Sequence, residues 1–249
     1  MNEAFSLNNK TILITGASSG IGRETAIKCS EAGAKLIITG RDKQRLNETL
    51  LALNGEGHLS FICDLLNEKE MNELIASING LDGVVHCAAV VKLFPIGFLN
   101  EKKINETFQT NFYSVIYLTT KLFKSKKINN NASLVFISSI AGQHPHRGSS
   151  MYAASKAAVE AFCRTIALEY SVQKIRANCI CPAMVKTPVY EASQDFLTKE
   201  SLDAHVAKYP LGPGYPDDVA NATLFLLSPA SKWITGINLI MDGGLLLNY

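Results

Sequence analysis

The sequence predicts a doubly wound α/β fold: a single domain, residues 1–249, on a parallel sheet of seven strands. Three observations carry this. Short apolar runs alternate with longer helix-patterned stretches along the whole chain. The runs are apolar on both faces, as strands are when helices cover both sides of a sheet. Helical stretches of a dozen or so residues separate the runs, which suits right-handed parallel crossovers.

The elements follow in order. "TILIT" (11–15) reads as a strand, and 20–32 as a helix that stops at Gly33. "KLIIT" (35–39) is a strand before a helix at 42–53, and "LSFIC" (59–63) a strand before a helix at 67–78. "GVVHC" (83–87) precedes a long helical region at about 101–127. "SLVFIS" (133–138) precedes a helix at about 151–171, and "RANCIC" (176–181) is the sixth strand. A helix at about 217–228 and the strand "INLIM" (237–241) complete the pattern. The exception is 186–216, where Pro188, Pro210, Gly212, Pro213, Gly214 and Pro216 break the regularity. A long segment of this kind before the last helix is expected to be a lid over a binding site.

Composition excludes several classes. Hydrophobic residues make up 47% and charged residues 18%, enough for a packed core and unlike a disordered chain. A net charge of +2 implies neither a nucleic-acid partner nor an anionic membrane surface. The basic run Lys121, Lys124, Lys126, Lys127 reads as a solvated helix end. No apolar run reaches the ~18 residues that span a bilayer. "MNEAFSLNNK" lacks the apolar centre of a signal peptide, so a cytoplasmic location is expected. Six cysteines without a CxxC pair read as buried free thiols, with no metal site.

"TILITGASSGIGRETA" places Gly16, Gly20 and Gly22 between the first strand and the first helix. Amides at a helix N-terminus carry partial positive charge and suit a pyrophosphate, and glycine lets the phosphate approach the backbone. The spacing is GxxxGxG, distinct from the GxGxxG of the commonest dinucleotide fingerprint. About twenty residues on, a carboxylate would hold the adenosine ribose of NAD. That place holds Gly40, followed by Arg41, whose guanidinium suits a 2′-phosphate. NADP(H) is therefore the expected cofactor. NAD(H) is the alternative, because Asp42 stands next in line.

"MYAASK" puts Tyr152 and Lys156 four apart, on one face of the helix near its start. A nearby ammonium favours tyrosinate, so Lys156 is expected to pull the phenol's pKa down and make it a usable acid and base. The chemistry this suits is hydride transfer to a carbonyl, with the phenol protonating the developing alkoxide. A second donor to the carbonyl oxygen is needed. Ser139, thirteen residues before Tyr152, can supply it, and Ser138 competes for the role.

Taken together these motifs resemble the short-chain dehydrogenase/reductases over about residues 8–244: TGxxxGxG at 15–22, Ser139, and YxxxK at 152–156. The resemblance implies a Rossmann-like fold, with Tyr152 as acid/base, Ser139 orienting the carbonyl, Lys156 also binding the nicotinamide ribose, and Asn111 of "QTNFYSV" holding a relay water. It implies a cofactor site made of Gly16, Ser18, Ser19, Gly20, Ile21, Gly22, Arg41, Asp64, Leu65, Ala88, Pro182, Val185 and Thr187, shared with Asn111, Tyr152 and Lys156. Two places depart from the family pattern: its NNAG reads His86-Cys87-Ala88-Ala89, and the glycine of its PG pair is Ala183.

The expected activity is thus an NADP-preferring interconversion of a ketone and a secondary alcohol. The likeness extends to 3-oxoacyl-carrier-protein reductases, although Asn130 and Gln173 stand where those enzymes carry carrier-docking arginines. An NAD-dependent sugar or steroid alcohol dehydrogenase is one alternative; a non-catalytic nucleotide-binding regulator is another. The "GQHPHRGSS" loop, with His144, His146 and Arg147, is expected at the pocket rim, where one of them could touch a polar or anionic substrate. Relatives of this kind associate through the long helices and last strand, so a homotetramer or homodimer is expected. The apolar ending "GGLLLNY" fits burial against a partner.

Overall fold

In a computed structural model, which describes residues 3–188, 190 and 199–248, alternate residues of each central strand serve two different cores. Leu13 of β1 (Thr11–Thr15) faces one side, where it joins Val84, Leu134, Leu118, Leu122, Val159 and Cys163. Its neighbours Ile12 and Ile14 face the other, with Ala26, Cys29, Val85, Val135, Val219 and Leu226. The period-two geometry of an extended chain sends successive side chains to opposite faces, so a strand covered on both sides must be apolar throughout.

The remaining strands are β2 (Lys35–Gly40), β3 (Leu59–Ile62), β4 (Leu81–His86), β5 (Ile128–Ile137), β6 (Arg176–Pro182) and β7 (Asn238–Met241). The sheet order is β3-β2-β1-β4-β5-β6-β7, with every adjacent pair parallel. Helices α1 (Gly20–Glu31) and α2 (Lys43–Leu51) make the first two crossovers. They are followed by α3 (Glu68–Ala76), α4 (Glu101–Phe108), α5 (Ser114–Lys124), α6 (Ser150–Glu169), α7 (Lys199–Val206) and α8 (Pro216–Leu227). The doubly wound, seven-stranded architecture is the one the sequence implies. The strand order reverses between β1 and β4, the place where ligands of such sheets bind.

Three expectations need correction. β3 is not buried on both faces: Leu59 and Ile62 are exposed, because β3 is an edge strand. The long helix at 101–127 is two helices joined by a π turn over Gln109–Tyr113, and α5 ends at Lys124. Strand β5 starts at Ile128, five residues before the apolar run, after a register shift against β4 between Leu81 and Gly83. Part of the expected lid segment, 189 and 191–198, lies outside the described residues. Among the described residues no helix is long and apolar enough to cross a membrane. All six cysteines are free thiols, five buried and Cys87 half-buried.

Candidate active site

The glycine turn after β1 is shaped by what its residues lack. Gly16 has φ +66°, and a Cβ there would sit 2.8 Å from the Ala88 amide nitrogen. Both features exclude a side chain and bring the ends of β1 and β4 together. The Thr15 hydroxyl fastens the same junction, accepting from the amides of Cys87 (3.1 Å) and Ala88 (3.2 Å). Gly20 has φ +53° and faces the Thr187 side chain, whose methyl lies 3.3 Å from the place a Cβ would take. This sets the segment after β6, including Thr187, against the mouth of α1.

The N-terminus of α1 differs from its neighbours. Asp42, Asn67 and Asn100 cap α2, α3 and α4 through their side chains. Ser19 begins α1 in an extended conformation and makes no such cap. The first-turn amides of α1 are therefore left to another acceptor, and an anionic group fits there. The residues present fit a dinucleotide phosphate on this observation.

At the end of β2, Gly40 lies against Ser18, whose hydroxyl is 3.2 Å from a built Cβ. Arg41 is exposed and has no side-chain partner among the described residues. Asp42 is committed elsewhere: it accepts from the Arg45 amide (3.0 Å) and Arg45 Nε (2.8 Å), which hold its carboxyl below the usual range. Asp64 accepts from the Leu66 amide, and Leu65 is buried beside it.

The residues expected to do chemistry converge at the carboxyl ends of β5 and β6. Ser139 follows β5, and its hydroxyl donates to the Pro182 carbonyl (3.4 Å) and stands close enough to the Tyr152 phenol to act on its titration. The Ser138 hydroxyl is buried and donates to Glu160 Oε1 (2.7 Å), with the Lys156 carbonyl 3.4 Å away, which favours Ser139 over it as the donor. Lys156 is buried with its ammonium 5.8 Å from the Tyr152 ring centre, donating to the Ile137 carbonyl at 2.7 Å.

The expected direction of the tyrosine shift is not the one found. Burial pushes the Tyr152 phenol above its ordinary value, and the Ser139 hydroxyl opposes that only in part. Lys156 donates to the Ile137 carbonyl, and burial draws the lysine itself down to about 8. Desolvation penalises the charged form of each group.

Asn111 lies in the π turn and is buried. Its amide is fully used: Oδ1 accepts from the Val90 amide (2.8 Å), and Nδ2 donates to the Val90 carbonyl (2.9 Å) and Ser155 Oγ (3.2 Å). The side chain thus ties the segment after β4 to α6. Val185 pairs with Gly214 in an isolated bridge.

His86, where the family pattern has asparagine, is a core residue. It stacks on Phe136 at 4.8 Å, its Nε2 meets the Thr119 hydroxyl at 3.1 Å, and burial draws its pKa down to about 3. His144, His146 and Arg147 are exposed in the loop before α6. That loop is joined to the segment after β4 through the Phe94 amide and the Gly148 carbonyl (2.8 Å), and His146 is near enough to His205 of α7 to influence its titration. Sequence reasoning misses Ser155 and Glu160; they have partners as far as 44 and 78 positions away, and no local pattern marks such contacts.

Comparison with known proteins gives the family of the chain. Residues 16–246 match the family model described as enoyl-(acyl carrier protein) reductase. The chain belongs to the short-chain dehydrogenase/reductase family and is an oxidoreductase. It is 31% identical over 242 residues to the 3-oxoacyl-[acyl-carrier-protein] reductase FabG of Rickettsia bellii, covering 97% of this chain and 98% of that one. It is 31% identical over 255 residues to a tropinone reductase homolog of Arabidopsis thaliana, covering 99% and 96%. Among solved structures, a short-chain type dehydrogenase/reductase from Mycobacterium ulcerans superposes with a TM-score of 0.87 at 29% identity, covering 98% and 92%.

Proposed function

We propose that this protein is an NADP-preferring oxidoreductase that interconverts a ketone and a secondary alcohol, with Ser139, Tyr152 and Lys156 as its catalytic residues and Asn111 in the proton relay. The observation that carries this is the meeting of Ser139, Tyr152 and a buried Lys156, whose ammonium lies 5.8 Å from the Tyr152 ring, at the sheet edge that also holds the open N-terminus of α1. The bound dinucleotide supplies the hydride. Ser139 holds the carbonyl oxygen, and the Tyr152 phenol gives up its proton to that oxygen as negative charge develops. A phenol kept neutral by burial is in the correct form to donate. Lys156 stabilises the phenolate that remains and binds the ribose. Asn111 holds the water through which the proton is replaced.

The dinucleotide is held by Gly16, Ser18, Ser19, Gly20, Ile21, Gly22, Asp64, Leu65, Ala88, Pro182, Val185 and Thr187, with Arg41 on the 2′-phosphate. The preference for NADP rests on Gly40 leaving room at the end of β2, a free guanidinium at Arg41, and an Asp42 carboxylate already spent on Arg45. Titration of the protein with NADPH and NADH tests this, and tighter NADH binding would overturn it.

The substrate is a moderately apolar carbonyl compound, in keeping with relatives named as 3-oxoacyl-carrier-protein and tropinone reductases. Leu93, Phe94 and Met184 lie on the segments that flank the site. Exposed Asn130 and Gln173 in place of arginines argue for free thioesters or other small ketones over a docked acidic carrier. A panel of such ketones, read by NADPH consumption, tests the assignment. The protein works in the cytoplasm as a homotetramer or homodimer. Exposed Leu168, Val172, Trp233, Ile240 and Leu247 supply the apolar surface for it, and light scattering checks the assembly.

A further inference from the structure

One buried carboxylate has no part in the chemistry above. Glu160 is 3% exposed and lies one helical turn beyond Lys156 and two beyond Tyr152, on the same stripe of α6. Four donors from four segments meet it: Ser138 Oγ from the end of β5 (2.7 Å), Gln143 Nε2 from the turn after Ser139 (3.2 Å), Cys181 Sγ of β6 (3.5 Å) and Asn238 Nδ2 of β7 (2.7 Å). Every partner donates, which is the environment of an ionised carboxylate. The turn is pressed close, since a Cβ on Gly142 would come within 2.6 Å of Oε1.

We infer that Glu160 is a positioning residue: it clamps the Ser139-bearing turn to α6 and supplies the negative charge that keeps the buried Lys156 an ammonium. Ser138 and Gln143 flank Ser139 in the chain, so holding both fixes the place of the hydroxyl between them. The groups that face Lys156 are Tyr152 and Glu160 of its own helix, Cys87 after β4, and Cys179 and Cys181 of β6. Burial pushes the Cys87 and Cys181 thiols up to about 12, and a hydrogen bond with Cys163 together with burial raises Cys179 as well. The thiols and the Tyr152 phenol are therefore uncharged at neutral pH. Among the described residues, Glu160 is the carboxylate that opposes the cost of burying the ammonium.

This inference rests on the catalytic reading, but the test of its electrostatic part does not need turnover. Lysine labelled with 13C reports the titration of Lys156 in the whole protein without cofactor, its signal identified by loss in Lys156→Arg. In Glu160→Gln the midpoint is expected to fall by about half a pH unit or more. An unmoved midpoint in folded Glu160→Gln would overturn the electrostatic role whether or not the protein reduces a ketone. Ser138→Ala keeps the charge and removes one tie. It should leave the Lys156 midpoint in place and lower kcat by about threefold to tenfold with little change in KM. Wild-type kcat in Ser138→Ala overturns the clamp. If Glu160→Gln does not fold, Ser138→Ala combined with Gln143→Ala decides: lower kcat at an unchanged melting temperature supports the inference, and wild-type kcat overturns it.

Discussion

The glycine turn after β1 and the first turns of α6 lie at the same edge of the sheet and are built by opposite means. The turn is made by omission. Gly16 and Gly20 have positive φ, neighbours crowd the places where their side chains would be, and Ser19 leaves its helix uncapped. The α6 site is made by commitment. Ser138, Ser155, Asn111 and Glu160 are buried and hydrogen-bonded, so that the Ser139–Tyr152 pair stands at a fixed place. A surface that must accept a bulky anion is best made of backbone. A site that must move one proton needs side chains held by other side chains.

If that contrast is correct, removing one atom at α6 should damage catalysis and spare the fold. Tyr152→Phe is expected to lower kcat by about 10³-fold with NADPH affinity intact, measured by steady-state turnover and by cofactor titration. Adding one atom at the glycine turn should do the reverse. Gly16→Ala meets both a positive φ and the Ala88 backbone, so a loss of about 3 kcal/mol or more in unfolding free energy is expected, along with weak cofactor binding. A smaller effect separates the adenosine end from both. Arg41→Asp should weaken NADPH by about tenfold to a hundredfold relative to NADH and leave stability within about 0.5 kcal/mol.

The smallest expected effect concerns His86, which belongs to the core and to neither region. Its folded pKa of about 3 lies below the ordinary 6.5, so the unfolded chain takes up a proton that the folded chain refuses. Stability should therefore fall as pH drops below about 6.5, by about 2 kcal/mol from this residue by about pH 5. In His86→Asn that slope should disappear, as urea unfolding at the two pH values would show.

The same contrast explains what could be read from the sequence. The strands, the glycine turn and the Tyr152–Lys156 pair are local or periodic, and each is visible in a window of a few letters. Ser139 could be narrowed to two adjacent serines, and only the Ser138–Glu160 bond separates them. The direction of the Tyr152 shift is not legible there because spacing shows the nearby ammonium and hides the burial of the phenol. Glu160 gathers partners 17 to 78 positions away, and such a cluster has no signature along the chain.

The π turn at Gln109–Tyr113 also acts as a change of phase. One residue more per turn rotates everything after it by about 100° relative to an unbroken α-helix. A helical wheel drawn straight through 101–124 would therefore place the inner residues of α5 on the wrong side. Val115, Leu118 and Leu122 face the sheet because the turn before them absorbs one residue. Aligning this stretch with an uninterrupted helix would thus call for a one-residue gap near Asn111, at the point where the chain supplies part of its site.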